Sequence, residues 1–378
     1  MSTNSKQRVI VVGGGVLGVS SALCLARQGA DVTLVTEGAP AAGASGRSLS
    51  WLNSARRRSP HYHHLRMLGI DRYRTLHAQL PDAAWLRFDG GLTWDPAERN
   101  DIAAVFAHEK AQGYDARLLA PDEVARFTPG INASAIPEQG AIFNPGEGWV
   151  DLPSLVAHQL AEFARLGGVL KAGTERANVE VKGGRAVGVR VGGETLGADA
   201  VLLATGSNVP ACAAELGVQI PDSTPISLLV RTRPVDVPLR AVVNSPRASV
   251  RPAPGGVLVV DSWWSEEEVS VNADGSYAVR PETVNGLLRE TSAILEGTPA
   301  LELDGYGVGP KPIPGDGEPV LGALEGVPGC YVAFSHSGAT LALIAGELLA
   351  DEIVSGTPHP QLASFRAGRF RQDSRTSH

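Results

Sequence analysis

The chain has little of what several protein classes require. Its three cysteines, Cys24, Cys212 and Cys330, stand far apart with no Cys-x-x-Cys pair, which argues against dithiol exchange and a zinc knuckle. Cys24 falls in a helical pattern and Cys330 just before a strand, so both read as buried thiols. No stretch reaches the roughly 18 uncharged apolar residues that a membrane span needs. Residues 1–8 are polar and run straight into a strand without an apolar h-region, so the expected location is the cytoplasm. Basic residues are outnumbered, 33 against 40 acidic, for a net charge of -7, which speaks against a nucleic-acid partner. A local basic run, Arg56-Arg57-Arg58, reads as a solvated helix start or a phosphate-side surface, with contact to a ligand as the alternative. No repeat of fixed period is present. With 43% hydrophobic and 19% charged residues among 378, the chain can build one large or two medium domains.

What is present begins at the N-terminal end. Arg8-Val9-Ile10-Val11-Val12 lacks polar alternation, as a parallel strand covered on both faces does. Gly13 to Gly18 follow, then a helical pattern over 19–28 closed by Gly29, then an apolar strand over 31–36 closed by Glu37. Strand, glycine turn, helix, strand and acid form a βαβ unit. Gly13-Gly14-Gly15-Val16-Leu17-Gly18 matches G-x-G-x-x-G. Gly13 permits the tight turn, Gly15 lets backbone approach a pyrophosphate, and Gly18 lets helix pack on strand. The first-turn amides and the positive helix end suit the phosphates. Glu37 lies nineteen residues after Gly18, where a carboxylate accepts from ribose hydroxyls and repels a 2′-phosphate. A dinucleotide site is therefore expected, for FAD or NAD rather than NADP.

Further helices are expected over 61–80, 96–112, 152–166, 281–295 and 337–354. The stretch 169–205 reads as a β-meander with turns at Gly183-Gly184 and Gly192-Gly193, leading into the buried strand 200–203. Strand patterns dominate 226–271. His61, His63, His64 and His77 cluster on one helix, but no acid or cysteine completes a site nearby, so no metal is expected. The sheet is thus left and re-entered: nucleotide-type elements lie near 1–85, 145–210 and 305–378, and mostly antiparallel material near 86–144 and 211–304. The meander ahead of Ala204-Thr205-Gly206 favours FAD over NAD, since a simple NAD fold continues with βα units.

Taken together, GGGVLG, Glu37, the Gly-Ala-Ser-Gly-Arg-Ser segment at 43–48, LLATG at 202–206 and the late motif Pro312-Ile313-Pro314-Gly315-Asp316-Gly317-Glu318-Pro319 resemble the D-amino-acid oxidase family, to which glycine and sarcosine oxidases belong. The resemblance spans nearly the whole chain. It implies an α/β Rossmann-like FAD-binding domain and an α+β substrate domain with a mostly antiparallel sheet. Carried over by motif, the cofactor positions continue past Glu37 to Gly38. Ala44, Ser45, Gly46, Arg47 and Ser48, then Ser50, Trp51 and Leu52, run past the pyrophosphate and isoalloxazine. Val179 offers backbone to the adenine, and Ala204, Thr205 and Gly206 close their strand beside the cofactor. His336, Ser337, Gly338, Ala339, Thr340 and Leu341 lie near the flavin pyrimidine, where an apolar helix start favours negative charge on reduced flavin.

The implied reaction is oxidation of a C–N bond in an amino acid or secondary amine, by hydride transfer to flavin N5. Three departures bear on it. Lys311 stands where relatives place a carboxylate-binding arginine, so it is either a substrate or oxygen-activating residue or a surface lysine. Cys330 lies on the wrong side of its strand for flavin attachment, so FAD reads as noncovalent. Strand region 226–271 holds no lysine, which leaves a dehydrogenase passing electrons to a carrier, or a flavin-binding subunit of a larger assembly, beside the oxidase. Trp51, Trp263 and Trp264 are either substrate walls or packing residues.

Overall fold

The β-branched run near the start becomes a central strand. In the computed structural model, which describes residues 6–99 and 101–373, strand β1 (Arg8–Val12) leads into helix α1 (Val16–Arg27) and strand β2 (Asp31–Thr36). Val9 to Val12 are at most 5% exposed, as a strand covered on both faces requires. β1 lies between β2 and Ala200–Leu203, parallel to both, with Val9 opposite Val32 and Ala200.

Two compact units divide the chain. One comprises the described residues through Gly46, Leu152–Pro225 and those from Pro310 on; the other comprises Arg47–Asp151 and Ile226–Gly309. The first holds a six-stranded sheet in the order Val320–Ala323, Cys330–Phe334, Ala200–Leu203, β1, β2, Val169–Ala172. Ile10, Val12, Val201, Leu203 and Phe334 share a core with Ala186 and Val189 of a three-stranded antiparallel sheet over 178–197. α1 packs along helix Gly338–Ser355, so closely that a Cβ on Gly346 would lie 2.8 Å from the Ser20 backbone.

The second unit is built on an eight-stranded sheet running from Leu303–Pro310 at one edge to Arg117–Leu119 at the other. Its resolved pairs are antiparallel except Val242–Asn244 with Gly91–Thr93. Helix Pro281–Ile294 covers it through Val284, Leu287 and Leu288. The architecture is the expected one, an α/β unit and a mostly antiparallel α+β unit. Among the described residues no helix is long and apolar enough to cross a membrane.

Several sequence boundaries shift. Residues 47–85 and 145–151 group with the second unit, because Trp51–Leu52 and Leu86–Arg87 both pair with Gly148–Val150. Residues 211–225 group with the first, where Cys212, Ala213, Val218 and Ile220 enter its core. Residues 305–309 group with the second, inside its edge strand. Val169–Ala172 is no part of the meander; it adds in parallel to β2. The helix expected from 96 starts at Ile102. Trp263–Glu267 is a short helix in a region read as strand. The basic run is no uniform solvated surface: Arg57 is exposed, Arg56 pairs with Asp95 at 2.7 Å, and Arg58 is half-buried.

Candidate functional site

The turn after β1 is shaped by what side chains would strike. Gly13 has φ +118°, and a Cβ there would fall 2.3 Å from the Ala204 carbonyl oxygen; one on Gly18 would fall 2.0 Å from that of Gly13. Both positions serve the close contact of turn, strand and helix. Gly15 differs. The nearest atom to its absent Cβ is the Ser45 hydroxyl at 3.4 Å, so the protein leaves room there that a ligand backbone approach would use. Ser45 sits in a single 3-10 turn, Ala44–Gly46, and its hydroxyl accepts from the Val16 amide at 3.0 Å.

Two helix starts meet at this edge. Gly338, first in its helix, carries a Cα whose Cβ would lie 3.8 Å from Val16 and Leu17 side-chain carbons. Neither helix has a side-chain N-cap bond or an acidic residue in its first turn. Two positive helix ends therefore lie close together with no acidic residue in either first turn, an environment that favours an anion. Thr340 and Leu341 are buried, Ser337 is buried with its amide on Ser335, Ala339 is partly buried, and His336 is exposed. Glu37 and Gly38 are exposed just past β2. Ala204, buried, donates its amide to Val12, and Thr205 and Gly206 begin the next turn. Val179 lies opposite Val189 in an edge strand of the three-stranded sheet. These residues fit a dinucleotide cofactor.

The rest of the candidate segment belongs to the second unit. Arg47 lies along the edge strand at Gly307 and Gly309, whose Cβ atoms would overlap its side chain; burial lowers its pKa, opposed by Tyr277. Ser48 accepts from the Ser50 amide at 3.0 Å. Leu52 is fully buried. Trp51 donates its indole N–H to Glu147 at 2.7 Å. Trp264 binds the Arg247 carbonyl and carries that guanidinium 4.6 Å above its ring, and Trp263 is 60% exposed. Lys311 is partly exposed, its amide donating to Pro225 at 2.9 Å.

Sequence reasoning missed a buried polar centre in this unit. Glu147, wholly buried, accepts from Trp51 on one oxygen and from the Tyr114 hydroxyl at 2.5 Å on the other. Burial pushes its pKa up to about 8, against the lowering bond from Tyr114. Tyr114 accepts from the Ser54 amide, and the Ser54 hydroxyl meets His63 at 2.8 Å. Arg66, 2% exposed, donates to Asn53 and to Tyr62. No local spacing announces the set, since 51, 114 and 147 meet only through the sheet. The cysteines are free; Cys330 is buried at the strand end away from the glycine turn, opposite Val201, and burial pushes its thiol up to about 12.

Comparison with known proteins identifies the family. The family model described as DAO, FAD dependent oxidoreductase, matches residues 8–352. A D-amino acid dehydrogenase of Cereibacter sphaeroides is 26% identical, covering 97% of this chain and 96% of its own. A glycine oxidase of Pseudomonas aeruginosa is 26% identical over 93% of this chain and 95% of its own. Among solved structures, glycine oxidase from Geobacillus kaustophilus superposes with a TM-score of 0.80 at 23% identity, covering 96% of this chain and 99% of that one. The chain belongs to the DAO family of FAD-dependent oxidoreductases.

Proposed function

We propose that this enzyme oxidises a C–N bond of an amino acid or secondary amine, acting in the cytoplasm with FAD held noncovalently. The observation that carries the reading is the pair of helix starts, neither with an acid in its first turn, beside the open face of Gly15. It is joined to relatives named D-amino acid dehydrogenase and glycine oxidase, matched over 96% and 95% of their lengths. Bound FAD supplies the hydride acceptor, N5. The protein's part is to hold and orient. Gly15, Val16, Leu17 and Ser45 hold the pyrophosphate, Glu37 and Gly38 the ribose, and Val179 the adenine. Arg47 to Leu52 follow the cofactor toward the flavin, and residues 336–341 lie near its pyrimidine. The domain roles follow: the first unit holds cofactor and the second faces substrate. Free thiols at all three cysteines accord with a reducing compartment. Anaerobic bleaching of the flavin by a panel of D- and L-amino acids and N-methyl amines tests the reading; a flavin that no amine bleaches overturns it.

A second reading, a dehydrogenase that passes electrons to a carrier, is favoured by the absence of lysine from 226–271. Fast amine reduction with reoxidation by a quinone or dye, and slow reoxidation by oxygen, is its expected signature.

Glu37→Ala removes a charged acceptor worth about 1.5–3 kcal/mol. FAD affinity is expected to fall roughly ten- to hundredfold, and an unchanged dissociation constant in equilibrium titration shows that Glu37 faces elsewhere. Lys311→Met tests the residue ahead of the Pro-x-Pro motif. If Lys311 anchors a carboxylate, the reductive half-reaction weakens by about 1–3 kcal/mol for carboxylate substrates and stays unchanged for uncharged amines. If Lys311 activates oxygen, only reoxidation slows. Stopped-flow traces unchanged in both half-reactions make it a surface lysine.

A further inference from the structure

Arg58 stands out in the buried polar centre by having no counter-ion. Its neighbours in the basic run are provided for: Arg57 reaches Asp101 at 2.9 Å and Arg56 pairs with Asp95. Arg58 makes no ion pair among the described residues, and its Nε is buried without a hydrogen-bond partner. Among the described residues it is its carbonyl that is engaged, accepting from Gln112 at 2.9 Å. The nearby acids are spent. Glu109 accepts from the Arg56 amide at 2.6 Å and from Asn144, and Glu147 accepts from Trp51 and Tyr114. Burial, with repulsion from Arg66, lowers the Arg58 pKa to about 10, so the guanidinium is charged at neutral pH. Glu147, titrating near 8, is mostly neutral there and supplies little opposing charge. A desolvated cation beside a second guanidinium is costly to keep. Such a cost persists where a ligand offsets it.

We propose that Arg58 is a binding site for a carboxylate, and that the ligand is a carboxylate group of the amine substrate. The assignment of that carboxylate to the substrate rests on the C–N oxidation reading. A planar guanidinium whose Nε has no acceptor carries its donors in a fork that matches a carboxylate. The residue as a whole is half-buried, and a single uncompensated charge suits a monoanionic group.

The test is calorimetric titration of the FAD-loaded protein with propionate, which has no C–N bond, and separately with inorganic phosphate. Wild type is expected to bind propionate, and Arg58→Met to bind it at least tenfold more weakly. In carboxylate-free buffer the variant is expected to unfold at the same or a higher temperature, because it loses a buried charge rather than a bond; a purely structural arginine gives a lower one. The proposal is overturned if wild type does not bind propionate, if Arg58→Met binds it equally, or if the variant unfolds at a clearly lower temperature. Tenfold tighter binding of phosphate than of propionate also overturns it, in favour of a phosphate ligand. Should Arg58→Met not fold, Arg58→Lys keeps the charge without the fork and is expected to fold and bind propionate more weakly. Undiminished binding, or failure of both variants to fold, makes Arg58 structural. An amine panel that leaves the flavin oxidised defeats the C–N reading without touching the propionate result.

Discussion

A Gly15→Val protein is expected to fold and to purify without flavin. The Gly15 backbone, at φ -77° and ψ 173°, is in an extended conformation that valine adopts readily. The nearest atom to a new Cβ is the Ser45 hydroxyl at 3.4 Å, so the apoprotein has space for it. The loss falls on the ligand. A branched side chain there stands between the pyrophosphate and the first-turn amides. Two charge-assisted hydrogen bonds lost, at about 1.5–3 kcal/mol each, weaken FAD by a factor of roughly 10²–10⁴. Gly18→Ala is the control, since its Cβ would lie 2.0 Å from a backbone oxygen; that protein is expected to fold poorly whatever the cofactor. Flavin absorbance per mole of protein and far-ultraviolet circular dichroism separate the two effects. Full flavin occupancy in a folded Gly15→Val protein removes the pyrophosphate from this loop.

The second large effect is a pH dependence centred on Glu147. Its carboxyl titrates near 8 in the folded protein, chiefly because burial disfavours the charged form, against 4.5 as the ordinary value. Between those two pH values the unfolded chain has released a proton that the folded chain keeps. Folding stability contributed by this group is therefore full below about 4.5 and declines as pH rises. At about 1.4 kcal/mol per pH unit, the loss by pH 8 is on the order of 5 kcal/mol. Glu147→Gln has no such proton to lose. Its stability relative to wild type is expected to be lower or similar at pH 5, where the amide satisfies only one of the donors Trp51 and Tyr114, and higher at pH 8.5. Denaturant midpoints for both proteins at the two pH values check this. Midpoints that move in parallel show that Glu147 ionises as an ordinary surface carboxyl would.

The nucleotide-binding start of the chain was legible because its physics is local. A buried parallel strand, a glycine turn, a helix, a second strand and an acid follow one another within thirty residues of sequence, and each constrains its neighbours through backbone geometry alone. Helix Pro60–Gln79 was read within one residue at each end for the same reason: its apolar positions recur at helical spacing, and Ser59 caps it by accepting from the Tyr62 amide. Where tertiary pairing overrides local pattern, the reading slipped. Val169–Ala172 looks like the first strand of a meander, yet it adds to the edge of the parallel sheet beside β2. Trp263-Trp264 looks like strand continuation, but its indoles reach the carbonyls of Pro246 and Arg247 from a short helix.

By itself the sequence pointed to a dinucleotide, with an acid after the second strand that speaks against NADP, and, through its motifs, to the family of FAD-dependent oxidoreductases to which the chain belongs. Those conclusions rest on residues close along the chain, where periodicity and turn chemistry act. Only the tertiary structure decided that residues 47–85 group with the antiparallel unit. Only the structure brought Trp51, Tyr114 and Glu147 into hydrogen-bond contact and left Arg58 without a counter-ion. The physical reason is that burial and charge compensation are properties of the folded interior. A carboxyl is raised, or a guanidinium stranded, by which distant segments close around it, and neighbouring sequence carries no record of that.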